Sequence, residues 1–274
     1  MSDELTPTRP AVALVGAGAM GSALLKGWIE AGAIDLPRSA VFDPHLPEAA
    51  GALAARAGLA VNPPKTGGYE VLVLAIKPQM LADAQSYAPI ARHALVISVL
   101  AGKSIASVAA ALGGAPRVVR AMPNLPSMIG AGVSGLFAPP AVSARDRATA
   151  QALMEAAGAA VYVDSESAID AVTAISGSGP AYFFLMTEAL EDAARALGLP
   201  AQTARLLARR TLAGAGAVIG ADARETGALR KAVTSPGGTT EAALKVLDGD
   251  GQAIRTLMKD AAAAALRRAR DLTD

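Results

Sequence analysis

Two short stretches near opposite ends of the chain have the residue types and spacing to hold an anionic ligand. Thr234-Ser235-Pro236-Gly237-Gly238-Thr239-Thr240 runs straight into Glu241-Ala242-Ala243-Leu244-Lys245-Val246-Leu247. Pro and two Gly forbid a regular element, the run behind them favours helix, and the hydroxyls that lead it suit an N-cap. A side-chain-poor loop at a helix N-terminus leaves backbone N–H groups available to an anion. Any Gly-containing helix cap would share this pattern. The second stretch, Gly16-Ala17-Gly18-Ala19-Met20-Gly21, follows a strand at Val12–Val15 and opens a helix with Leu24, Leu25 and Trp28. In a dinucleotide turn the first Gly makes the tight bend, the second lets backbone approach the pyrophosphate, and the third allows close helix–strand packing.

Other polar residues fall where such a fold would use them. Asp43 closes the second strand, where an acid accepts from ribose hydroxyls and disfavours a 2′-phosphate. An ordinary Asp-Pro turn reads the same way, and Arg38 and His45 lie close enough to serve a phosphate. The choice between NADH and NADPH stays open. Ala75-Ile76-Lys77-Pro78 ends a buried strand and begins a helix with Pro in its first turn, putting Lys77 at a strand's carboxyl end. Leu100 and Ala101 end the next strand with small side chains that leave room for a cofactor. Asn124, between Pro123 and Pro126, is a fixed polar group in a rigid turn, suited to a carboxamide or a substrate. Ile175-Ser176-Gly177-Ser178-Gly179-Pro180 joins two helices, with Ser178 placed to cap the second; a hinge or packing loop is the competing reading.

The elements that must position these residues follow a simple alternation. Apolar runs at Ala11–Val15, Ala40–Phe42, Val71–Ile76, Leu95–Leu100 and Arg117–Ala121 read as buried strands. Helical patterns separate them at Met20–Ala31, Pro47–Ala57, Pro78–Ala84 and Ser104–Leu112. A strand pair at Gly132–Phe137 and Ala160–Val163 flanks a helix at Arg145–Ala157. This predicts a parallel sheet covered on both faces. Beyond Asp164 the sequence turns helical: Pro180–Leu197, Pro200–Gly220, Arg224–Val233, Thr239–Leu247 and Gln252–Leu272. The domain boundary is therefore expected at 164/165. The first long helix begins with the all-apolar Ala181-Tyr182-Phe183-Phe184-Leu185-Met186, so a second copy of the chain is expected to cover the helical part. The small residues Ala213–Ala217 would permit a close helix crossing.

Composition excludes several chemistries. The 274 residues contain no Cys, so thiol nucleophiles, thiolate metal sites and disulfides are ruled out, and two His are too few for a histidine metal cluster. Net charge is +1, with Arg267-Arg268-Ala269-Arg270 as the one dense basic cluster, in a helix end where cations suit the dipole. That argues against nucleic acid. The polar, acidic Met1–Pro10 has no apolar core, and no apolar 18-mer occurs, so a cytoplasmic protein without a membrane partner is expected.

Taken in order, GAGAMG, AIKP, RAMPN, SGSGPAYFF and TSPGGTT resemble pyrroline-5-carboxylate reductase across nearly the whole chain. The first motif fits many families, whereas SGSGPAY followed by SPGGTT is close to diagnostic. The resemblance implies an α/β fold: an N-terminal Rossmann-type dinucleotide-binding domain, then an all-α dimerisation domain that makes homodimers and often larger rings. It implies NADPH or NADH as cofactor and a cyclic imine carboxylate as substrate. Gly16, Gly18, Ala19, Met20 and Gly21 would meet the pyrophosphate; Ala75, Ile76, Lys77 and Pro78 would line the nicotinamide side. Ser235, Gly237, Gly238, Thr239 and Thr240 would form the substrate pocket with Ser176, with Thr240 donating to the ring nitrogen and Ser235 beside it in catalysis. Leu125 stands where the family commonly has Thr, Thr226 where it commonly has Pro, and Lys231-Ala232 replaces a pair that often begins with an acid. A 3-hydroxyacid dehydrogenase-type reductase would need a catalytic Lys in the helical part, yet Lys231, Lys245 and Lys259 read as surface positions. A nucleotide-sensing scaffold gives no reason for an intact SPGGTT loop.

Overall fold

The computed structural model describes residues 9–273. It divides into two compact units: the chain up to Ser178 together with the segment from Ala265, and Gly179–Ala264. The expected boundary at 164/165 lies ahead of the helical stretch that ends the first of these segments.

The first unit is built on eight strands: β1 (Val12–Val15), β2 (Ala40–Phe42), β3 (Ala60–Val61), β4 (Val71–Leu74), β5 (Leu95–Ser98), β6 (Val118–Met122), β7 (Gly132–Phe137) and β8 (Gly158–Tyr162). They form one sheet in the order β3-β2-β1-β4-β5-β6-β7-β8. Register is continuous across its centre, with Val15 opposite both Phe42 and Leu74. Every neighbouring pair is parallel except β6 and β7. Connection length explains the exception. Between Met122 and Gly132 there is room only for a 3-10 turn, Leu125–Ile129, whereas a parallel return needs a crossover of a dozen or more residues.

Helices α1 (Ala19–Ala31), α2 (Glu48–Ala57), α3 (Ala88–Ala91), α4 (Ile105–Ala111), α5 (Ala144–Glu155) and α6 (Ala168–Val172) complete this unit. Side chains alternate between the two faces of the sheet. Val12, Leu14, Val41, Val73 and Ile97 bury against α1, α2 and α5. Ala13, Val15, Phe42, Leu72, Leu74 and Val96 bury on the other face with Leu81, Tyr87 and Val108. Burial on both faces is why these strands read as unbroken apolar runs. Trp28 is fully buried and donates its indole N–H to the Leu153 carbonyl at 2.7 Å, tying α1 to α5. Arg120 is buried in β6 and paired with Asp170 at 3.3 Å and Glu166 at 3.6 Å.

Three local expectations are corrected. Pro78–Tyr87 is a 3-10 segment, not an α-helix over Pro78–Ala84. Pro89 has no N–H to give the Gln85 carbonyl, and the Ser86 hydroxyl turns back to the Asp83 carbonyl at 3.1 Å, which favours the tighter coil. The join between the helices, Ile175–Ser178, is itself mostly helical rather than an open loop. A π turn at Thr173–Gly177 follows α6, closed by the Ser178 N–H on the Thr173 carbonyl at 2.8 Å, and the next helix begins at Gly179. The two-residue β3 has no counterpart in the sequence reading; it is too short and too exposed to show a period.

The second unit holds α7 (Gly179–Ala196), α8 (Ala201–Ala221), α9 (Thr226–Ala232), α10 (Thr239–Asp248) and the first part of α11 (Ala253–Asp271). α7 packs on α8, with Ala204 and Ala208 buried. Phe183, Phe184, Leu185, Leu190, Leu206 and Leu207 stay exposed in the single chain. A Cβ on Gly214 or Gly216 would meet nothing within 4 Å, so the small-residue stripe answers no packing need inside one copy.

Candidate functional site

Of the three glycines after β1, the chain itself requires two. Gly16 sits at φ +93°, and a Cβ there would lie 2.6 Å from the Ala75 carbonyl oxygen at the end of β4. A Cβ on Gly21 would lie 2.0 Å from the Gly16 carbonyl oxygen. Gly18 is exposed with φ −61° and ψ −167°, a conformation open to any residue, and its Cβ would meet nothing within 4 Å. The chain itself thus demands Gly16 and Gly21 but leaves a bare cradle over Gly18. Gly18 is also the N-cap of α1 and makes no side-chain cap. The N–H groups of Ala19, Met20 and Gly21 in the first turn therefore have no helix carbonyl to donate to. A pyrophosphate fits a cradle of this kind.

The turn lies in the crevice where strand order reverses between β1 and β4, at the carboxyl ends of the strands, the general ligand position in open α/β sheets. Ala75 closes β4 beside it, its N–H donating to the Val15 carbonyl at 2.7 Å; Ile76 follows half-buried, Lys77 exposed, and Pro78 starts the 3-10 segment. Asp43 is fastened to the glycine turn: its Oδ2 accepts the Ala17 N–H at 2.7 Å and its Oδ1 the His45 N–H at 2.8 Å. Phe42 and the half-turn behind it bring Tyr87 close, and burial, followed by the Asp43 charge, pushes the Tyr87 phenol up from its ordinary value. Leu100 is buried and Ala101 exposed at the end of β5. The loop is held by Gly102 at φ +68°, whose absent Cβ would lie 2.7 Å from the Leu272 carbonyl oxygen.

Asn124 sits apart from this group and is engaged by its own chain. Its Oδ1 accepts the Val133 N–H at 2.9 Å and its Nδ2 donates to the Ser176 carbonyl at 3.1 Å, tying the start of β7 to the π turn. Ser176 gives its hydroxyl to the Val172 carbonyl at 3.0 Å. Leu125 beside it is exposed.

In the second unit Ser235–Gly238 is a β-turn with Pro second and Gly third. Gly237 takes φ +69°, and the Gly238 N–H returns to the Ser235 carbonyl at 3.0 Å, the pattern of a type II turn. The N-cap of α10 is Gly238, not a hydroxyl residue as expected, so Thr239 and Thr240 lie exposed inside the first helical turn. The turn's hydrogen bond places Gly238 at the cap, which moves both hydroxyls one step on. Glu241 accepts the Gly237 N–H at 2.8 Å, leaving the N–H groups of Thr239, Thr240 and Glu241 without a helix carbonyl. The far end of α10 is anchored by Asp248, which accepts from Arg255 at 2.6 and 2.7 Å and from Arg230 at 2.9 Å. The Arg255 guanidinium, then Arg230, holds the Asp248 carboxyl below its ordinary value. Asp248, Glu241 and the Arg120 pairing went unmarked in the sequence reading; the first two follow from i+3 and helix-end spacing, the last only from the fold.

Comparison with known proteins decides the kinship. The chain is 39% identical over 270 residues to pyrroline-5-carboxylate reductase of Pseudomonas aeruginosa, covering 97% of each. It belongs to the pyrroline-5-carboxylate reductase family. The family described as pyrroline-5-carboxylate reductase dimerisation matches residues 166–272, and the family described as NADP oxidoreductase coenzyme F420-dependent matches residues 11–102. A solved pyrroline-5-carboxylate reductase of Coxiella burnetii superposes with a TM-score of 0.90 at 36% identity, covering 97% of this chain and all of that one (100%). The Plasmodium falciparum enzyme, solved with NADP bound, shares the fold at TM-score 0.80 and 24% identity, with coverage of 97% and 100%. Among pyrroline-5-carboxylate reductases this chain thus keeps the family's α/β sheet domain and helical dimerisation domain. No described helix is long and apolar enough to cross a membrane.

Proposed function

We infer that this chain reduces 1-pyrroline-5-carboxylate to L-proline with a reduced nicotinamide dinucleotide. Kinship along 97% of the chain carries the reading. The bound nicotinamide supplies a hydride; the ring C=N carbon receives it, and the ring nitrogen, already protonated, becomes the secondary amine. An iminium is electrophilic on its own, so the protein's work is orientation and electrostatics more than strong acid catalysis.

In this reading Gly16, Gly18, Ala19, Met20 and Gly21 bind the pyrophosphate through backbone N–H groups, and Ala75, Ile76, Lys77 and Pro78 bound the nicotinamide. Asp43 takes the adenosine ribose, Leu100 and Ala101 leave space for the cofactor, and Asn124 faces the cofactor side while tying β7 to the π turn. The substrate carboxylate suits the first turn of α10, where Thr239, Thr240 and Glu241 offer unpaired N–H groups and Gly237 and Gly238 keep the approach clear. Thr240 Oγ1 would donate to the ring nitrogen, with Ser235 beside it; the resemblance gives Ser176 a substrate-binding role as well. Homo-oligomerisation through the helical domain is part of the proposal, supported by the dimerisation family match and by the exposed Phe183, Phe184 and Leu185.

The test is oxidation of NADH and NADPH by the purified protein with 1-pyrroline-5-carboxylate, followed to proline by chromatography. Oxidation without proline formation, or none with either cofactor, would refute the reading.

A further inference from the structure

The segment that holds Asp43 is more elaborate than an ordinary strand-end turn. Asn62, just past the edge strand β3, sits at φ +49°. Its carboxamide spans both backbone groups of Asp43: Oδ1 accepts the Asp43 N–H at 2.9 Å, and Nδ2 donates to the Asp43 carbonyl at 2.9 Å. Its own N–H continues the β2–β3 ladder to the Val41 carbonyl at 2.8 Å. A side-chain amide therefore replaces one rung of sheet pairing, in a left-handed conformation that Asn tolerates better than most residues. The carboxylate it positions is fixed by the Ala17 and His45 N–H groups. Each carboxylate oxygen keeps a second lone pair, so the group can still accept a ribose hydroxyl but has no proton to give a phosphate.

Arg38, expected near a phosphate, lies ahead of β2, at the opposite end of the strand from Asp43, and pairs with Asp35 at 3.5 Å and Glu70 at 3.4 Å. The turn Asp43-Pro44-His45-Leu46-Pro47 holds no Lys or Arg. Lys65 is turned toward Ser86, its Nζ 2.7 Å from the hydroxyl and 4.1 Å above the Tyr87 ring. Burial first, and then the negative charge of Asp43, pushes the Tyr87 phenol above its ordinary value.

We propose that Asp43, held by Asn62, makes the adenosine end of the dinucleotide site select NADH over NADPH. The proposal rests on the dinucleotide reading above. It also departs from the phosphorylated cofactor seen in the Plasmodium falciparum enzyme.

The experiment is equilibrium binding to the full chain by titration calorimetry, with four probes: NADH, NADPH, ADP-ribose and 2′-phospho-ADP-ribose. The 2′-phosphorylated member of each pair binds about tenfold or more weakly, the scale of one like-charge contact at a protein surface. Asp43→Asn, which removes the charge and keeps an acceptor, narrows the gap to within about threefold. Asn62→Ala narrows it as well, through a looser Asp43, while a purely structural loss would weaken both members of a pair alike. Equal binding of NADH and NADPH by the wild type, or an unchanged ratio in Asp43→Asn, would overturn the proposal. The two ADP-ribose probes on the wild type decide the matter even if the variants do not fold. Failure of all four probes to bind would instead bring down the dinucleotide reading beneath it.

Discussion

Replacing Gly18 and Gly21 by Ala, one at a time, separates what the chain requires from what its ligand requires. A methyl on Gly21 lands 2.0 Å from the Gly16 carbonyl oxygen and 3.0 Å from its carbon. Gly16 cannot yield, because it is itself held at φ +93° against Ala75. Overpacking of backbone against backbone puts the loss of stability at about 3 kcal/mol or more. A methyl on Gly18 meets nothing within 4 Å and needs no change from φ −61°. Its entropic gain in the unfolded chain, roughly 0.4–1 kcal/mol, is offset by poorer N-capping, so unliganded stability hardly moves. The assay is thermal unfolding with and without NADH. At a hundred times Kd a ligand stabilises by about 2.7 kcal/mol, which for a unit of this size lifts Tm by roughly 5–11 °C. If the Gly18→Ala methyl fills the cradle and weakens binding tenfold, the same NADH stabilises by only about 1.4 kcal/mol and the shift halves. Wild-type NADH stabilisation in Gly18→Ala, or wild-type unliganded Tm in Gly21→Ala, would refute the reasoning.

Two further outcomes are expected. Asp170→Ala strips buried Arg120 of its nearer partner and leaves Glu166 at 3.6 Å, so chemical denaturation should show a loss of about 3 kcal/mol or more, with Asp170→Glu retaining part of it. Thr240→Ala should lower turnover by about tenfold or more while leaving the Kd for NADH near wild type, as steady-state kinetics beside calorimetry would show; full turnover would remove Thr240 from catalysis.

The sequence carried the parts governed by short-range patterns. β2 and β7 fall on the runs read for them, Ala40–Phe42 and Gly132–Phe137, and burial on both faces makes β2 an unbroken apolar run. The glycine turn was legible because Gly16 and Gly21 each answer a different steric demand at a fixed spacing after β1. What stayed hidden depends on partners far along the chain. Nothing near Asn62 in sequence announces that its amide replaces a rung beside Asp43. Arg120 in β6 finds Asp170 fifty residues further along the chain, a pairing no local pattern announces. The π turn at Thr173–Gly177 resembled a Gly-Ser linker because its composition is that of a loop, and the bond from Ser178 to Thr173 closes it as a helical turn. α10 starts at Thr239 as read, but the turn Ser235–Gly238 makes Gly238 its cap instead of a hydroxyl residue.

The burial of Trp28 has a practical consequence for spectroscopy. It is the only Trp in the chain, and it lies in the core of the first unit, its indole N–H bonded to Leu153 between α1 and α5. Indole emission therefore reports on the sheet unit alone, while far-ultraviolet dichroism weights the helices of α7 to α11. Unfolding followed by both signals on one sample tells whether the two units melt together or in turn. The absence of Cys adds a second channel: a single engineered thiol can be labelled at any site without background.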